Sequence, residues 1–120
     1  MARKCIVVKT YCDREDVMNR IIDCLLKKRL VAGSQVVEVN SKYWWNHTLC
    51  EKGEYQLSFR STYDLFPLIK KEILESHNYE VPEISCTEIL NASLEFLDWI
   101  RREVRGEESI GLDENKKYYF

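Results

Sequence analysis

The segment Val37–His47, VEVNSKYWWNH, decides how the rest of the chain is read. From Val31 the apolar period becomes two. Val37, Val39, Ser41, Tyr43 and Trp45 share one face, and Val36, Glu38, Asn40, Lys42 and Trp44 share the other. Successive strand side chains point to opposite sides, so the adjacent tryptophans place a large ring on each face. The pattern predicts one strand of about fifteen residues, Val31 to Trp45, where about 5–6 is usual. Asn46-His47 reads as a two-residue turn, because Asn tolerates positive φ, although His is a weaker turn former than Gly. A return strand centres on Glu54 to Ser61, where Tyr55, Leu57 and Phe59 alternate with polar residues, and a bulge is expected near Gly53.

Working outward, Lys4–Thr10 (KCIVVKT) is an apolar run bounded by charge and suits a central strand. Asp13 is the expected cap of a helix with Val17, Ile21, Cys24 and Leu25 on one face. After the hairpin, Asp64 is the expected cap of a second helix that holds Pro67 in its first turn and ends near Ser76-His77-Asn78. Pro82 forces Val81 to be extended, and Ile84 to Leu90 reads as a strand. Asn91 or Ser93 then caps a third helix carrying Leu94, Leu97, Ile100 and Val104. The order β-α-β-β-α-β implies an α+β, ferredoxin-like antiparallel sheet with an additional C-terminal helix and a long hairpin between the second and third strands. Residues 1–104 form one domain. The tail, 105–120, is polar until Tyr118-Tyr119-Phe120 and reads as loose, or as an arm docking through those rings.

At 120 residues the chain fits one domain. Its 18 basic and 20 acidic residues nearly cancel, which disfavours a binder of nucleic-acid backbones. RNA-recognition modules share this strand order but need stacking aromatics on the first strand, and KCIVVKT has none. No apolar run reaches the ~20 residues of a membrane span, and MARKCIVVKTYCDRED contains no export signal core. Cys5, Cys12, Cys24, Cys50 and Cys86 are odd in number and widely spaced, as expected of reduced thiols in the cytoplasm. With only His47 and His77, a three-histidine metal site within one chain is impossible. No phosphate loop, nucleophile elbow or nucleophile–base pair is present, so no enzyme is expected.

Helices on one side of such a sheet leave its other face open. An apolar open face marks an interaction site, and closed self-association removes it without leaving a sticky surface. The combination of CDRE after the first strand, KRLVA, SKYWW, HNYEVPEI and LEFLDWI, in this order over about residues 4–104, resembles the CutA family of divalent-cation tolerance proteins. The resemblance implies a ferredoxin-like homotrimer related in shape to PII signalling proteins and without established catalytic activity. It also implies copper binding or, alternatively, a small-molecule sensing role. Two departures stand out. Family members often carry AACVN after the first helix, with a cysteine suggested for metal; here the run is Val31-Ala32-Gly33-Ser34-Gln35, with Gly33 in that place. The family's HPYEVPEI is His77–Ile84 with Asn78 replacing proline.

Two groups of residues carry candidate chemistry. His77, Glu80 and Glu83 lie three apart, but Pro82 makes the segment extended. Either His77 finishes the second helix and the glutamates are solvated, or the three line a cleft that holds Cu or another divalent cation. Cys12, beside a helix start, is a candidate soft ligand or an inert small residue. Tyr43, Trp44, Trp45 and Tyr55 read as interface core. The alternative, compatible with the first, is a cleft between subunits that these rings line and in which Lys42 and Arg60 attract a small anionic ligand. Tyr79 joins that cleft.

Overall fold

A computed structural model describes residues 2–106; the expected tail with Tyr118, Tyr119 and Phe120 lies outside the described residues. The elements are β1 (Cys5–Cys12), α1 (Glu15–Lys27), β2 (Gly33–Trp45), β3 (Thr48–Thr62), α2 (Phe66–Ser76), β4 (Ile84–Glu88) and α3 (Leu94–Glu103). One antiparallel sheet has the order β2-β3-β1-β4. This is the ferredoxin-like arrangement expected from the alternation of periods.

Register fixes which side chains share a face. Ile6, Val8, Thr10 and Cys12 of β1 stand opposite Ser61, Phe59, Leu57 and Tyr55 of β3. They meet Val17, Ile21 and Leu25 of α1 and Ile69 and Ile73 of α2 in one core. Burial of each large apolar side chain there contributes about 2–3 kcal/mol. Ser61 is tolerated in this core because its hydroxyl donates to the Leu30 carbonyl at 2.6 Å. The C-terminus of α1 closes by backbone bonds from Leu30 N–H to the Leu25 carbonyl and from Arg29 N–H to the Leu26 carbonyl. That double bond pattern needs a left-handed residue, here Arg29 at φ 54°. Arg29 also pairs with Glu103 at 2.9 Å, tying the end of α3 to the end of α1.

Several local expectations change. Asp13 does not cap α1: the position before the helix is Arg14, with no side-chain cap, and Asp13 binds Lys52 instead. Asp64 sits in a short 3-10 turn, Tyr63–Leu65, where Arg3 holds it at 2.9 Å; α2 starts after that turn, with Pro67 still in its first turn. No bulge occurs near Gly53. The β2–β3 register runs unbroken from Gly33↔Arg60 to Trp45↔Thr48, because Asn46 and His47 both adopt positive φ (49° and 65°) and close a tight turn.

The second face of the sheet is not left wholly open. Cys5 and Gly33 belong to it, and α3 packs there: the Cys5 thiol is 3.8 Å from the Leu97 carbonyl, and a Cβ on Gly33 would lie 3.2 Å from Trp99. The cover ends at that end of the sheet. β1 pairs with β3 only from Tyr55 onward, whereas β2 continues to Thr48, so residues 39–45 and 48–54 project as a two-stranded ribbon.

Candidate functional site

Where β1 stops at Cys12, the segment 77–83 meets the ribbon. His77 ends α2 in an extended conformation. Its Nε2 lies 2.8 Å from the Tyr11 carbonyl, which can only accept, so Nε2 carries the proton. Nδ1 then accepts the Tyr79 N–H at 3.1 Å. Both ring nitrogens are thereby committed, and the ring packs 4.7 Å from that of Tyr79. Burial lowers the His77 pKa, against smaller opposing effects of the Tyr11 carbonyl, Asp13 and Glu54.

This bracket positions Tyr79 against the base of the ribbon. Its hydroxyl donates to Glu54 at 2.5 Å. Lys52 Nζ stands 4.2 Å from the centre of the Tyr79 ring and 3.1 Å from an Asp13 carboxylate oxygen. Burial alone would lower the Lys52 pKa, but its bonds to Tyr79 and Asp13 outweigh it and the pKa rises. Burial and the Glu54 carboxylate raise that of the Tyr79 hydroxyl. Asp13 is held below the usual carboxylate range: burial opposes this, and the Lys52 and Asn78 bonds prevail.

Above this network lies a cleft of about 480 Å³ between the ribbon and the 77–83 segment. Lys42, Tyr43, Trp45, Tyr79, Glu80 and Glu83, all anticipated, line it. Other anticipated residues lie elsewhere. Trp44 is on the opposite face of the ribbon and 71% exposed. Tyr55 packs on the core. Arg60 stands opposite Gly33, far along the sheet, and donates to the Ser58 hydroxyl at 3.0 Å. His77 supports the wall through Tyr79. The Cys12 thiol is fully buried, 3.8 Å from the Arg14 carbonyl, and burial raises its pKa rather than lowering it. The set His77, Glu80, Glu83 and Cys12 is therefore divided between wall, rim and core. Among the described residues no three His, Cys, Asp or Glu side chains converge as metal ligands.

Sequence reasoning missed Tyr11, Lys52 and Glu54. The strand read from KCIVVKT stops at Thr10, whereas β1 runs two residues further and places Tyr11 on the second face. Lys52 and Glu54 share the parity of Gln56 and Ser58 on β3, but the expected bulge at Gly53 obscured it.

Residues 6–103 match the family model described as CutA1 divalent ion tolerance protein. The chain belongs to the CutA1 family. A relative from Encephalitozoon cuniculi, described as a probable divalent-cation tolerance protein cutA homolog, is 35% identical over 83% of this chain and 87% of its own length. The divalent-cation tolerance protein CutA of Pyrococcus horikoshii is 30% identical over 83% of this chain and 97% of its own. Among solved structures, CutA1 from the psychrotrophic bacterium Shewanella sp. SIB1 superposes with a TM-score of 0.82 at 26% identity, covering 88% of this chain and all of that one. The family match spans residues 6–103, which include the ribbon strands 39–45 and 48–54.

Proposed function

We propose that this CutA1 chain works as a non-enzymatic homotrimer in divalent-cation tolerance, in the cytoplasm, with the cleft completed between subunits as its ligand site. The ribbon carries the reading. Two paired strands alone are marginal in water, yet this pair extends well past the sheet and exposes Trp44 (71%), Leu49 (61%) and Trp45 (42%). Neighbouring copies that cover these groups supply what one chain lacks. β2 and β4 are the two free edges of the sheet, open to pairing between copies. Five free thiols support the cytoplasmic setting.

Copper or another divalent ion enters this reading only through the assembly. Glu80 and Glu83 are oxygen donors at the cleft rim, and further donors come from a second subunit. The alternative is a PII-like sensor of a small molecule, favoured by one observation: aromatic rings, not convergent metal ligands, form the cleft walls. Sedimentation equilibrium at micromolar protein tests the assembly. The expected mass is three times the 14.3 kDa subunit; a clean monomer overturns it.

A further inference from the structure

We propose that the cleft binds a small organic ammonium ion with an apolar body, held against the aromatic walls and neutralised by Glu80 and Glu83. This rests on reading the cleft as a ligand site and names the class of ligand that site takes.

Three observations converge. First, Tyr11, Tyr43, Trp45 and Tyr79 all line the cleft. The faces of such rings carry negative potential and attract cations. Second, the cleft wall already holds an ammonium group. Lys52 Nζ sits over the Tyr79 ring at 4.2 Å with the Asp13 carboxylate at 3.1 Å. Third, the charges favour a cation. Three carboxylates, Glu54, Glu80 and Glu83, line the cleft with Lys42 and Lys52; Lys42 belongs by parity to the opposite face of the ribbon, and the Lys52 charge is already matched by Asp13. The anionic ligand anticipated from Lys42 and Arg60 loses its ground, because Arg60 does not line the cleft.

Chemistry separates an organic cation from a metal ion here. A divalent metal demands several converging lone pairs, and rings supply none. An alkylammonium ion is weakly hydrated, buries its carbon body against the rings and needs only nearby carboxylates for its charge. At about 480 Å³ the cleft suits a ligand of metabolite size.

The test is calorimetric titration of the full chain with benzyltrimethylammonium, with benzenesulfonate as an anion of similar shape and Cu(II) as the metal alone. The cation is expected to bind at least about tenfold more tightly than the anion. The double variant Glu80→Gln/Glu83→Gln, which changes two exposed side chains, is expected to weaken it by about tenfold. Trp45→Leu is expected to weaken the cation more than it changes Cu(II). Equal or stronger binding of benzenesulfonate, no binding of the ammonium probe, or binding indifferent to the glutamate pair overturns the proposal. Sedimentation of the same samples keeps the two readings apart: a trimer that ignores the ammonium probe refutes the ligand class alone, whereas a monomer refutes the assembly.

Discussion

On β3, Leu57 and Phe59 are completely buried, while Leu49, on the same strand and the same face, is 61% exposed. Nothing in the local pattern distinguishes them: all are large apolar residues at alternating positions of one continuous ladder. The difference is what lies above. Leu57 and Phe59 have α1 and α2 over them and β1 beside them, whereas Leu49 belongs to a ribbon that has outrun both. Alternation encodes a pair of faces; it does not encode the cover. In the body the chain supplies its own cover, and in the ribbon the same kind of surface is left exposed.

The largest effect that would sharpen this contrast is in the body. Phe59→Ala should destabilise the fold by about 3–5 kcal/mol, measured by denaturant unfolding, because a closed core cannot collapse around the lost ring. A loss below about 1 kcal/mol would mean that the core is looser than its burial indicates. Next comes the ribbon. Trp44→Ala should weaken self-association by about 2–4 kcal/mol, read from the concentration dependence of sedimentation, while the circular dichroism of the dissociated chain stays native. If Trp44→Ala leaves association intact, the ribbon is not the contact and the contrast with the body fails.

The smallest effect lies at the junction of the two regions. The His77 pKa is below its ordinary 6.5 in the folded chain. The unfolded chain therefore binds the proton more readily, and stability is complete above about pH 6.5 and declines as pH falls below it. The structural reason is that a proton on Nδ1 displaces the Tyr79 N–H. Denaturant midpoints at equal protein concentration should be lower at about pH 5.5 than at about pH 7.5, and His77→Gln should flatten that slope. The depressed carboxylates Asp13, Asp64 and Glu72 lose their contributions only at lower pH, since their ordinary values are 3.8, 3.8 and 4.5. An equal slope in the variant would place the proton-sensitive group elsewhere.

Much of this was readable in the amino-acid order because it depends on period. The switch from 3.6 to 2.0 locates the first helix and the hairpin strands, Pro82 locates the start of the last strand although it ends at Glu88 rather than Leu90, and the parity of Val37 to Trp45 correctly separates Trp44 from Trp45. What escaped depends on distance across the fold. Asp13 looks like a helix cap from its neighbours, yet it serves Lys52, thirty-nine residues away. Gly53 looks like a bulge, yet the positive φ of Asn46 and His47 absorbs the turn and leaves the ladder regular. Charge alone suggests Arg60 for the cleft, and the register carries it to the far end of the sheet. The cover of the second face by α3 had no local signal at all; it follows from the close approach of Trp99 to Gly33.

The unbroken pairing of the ribbon imposes a parity on its evolution. Deleting one residue between Asn40 and Trp45 rotates every later side chain by half a turn, sending Trp45 to the back and Trp44 into the cleft. Deleting one residue from each strand opposes that shift with misaligned partners unless both cuts fall at paired positions. Length can change without reassigning the indoles only in steps of two per strand, so the arm is free to grow or shrink in whole pleats and in nothing smaller.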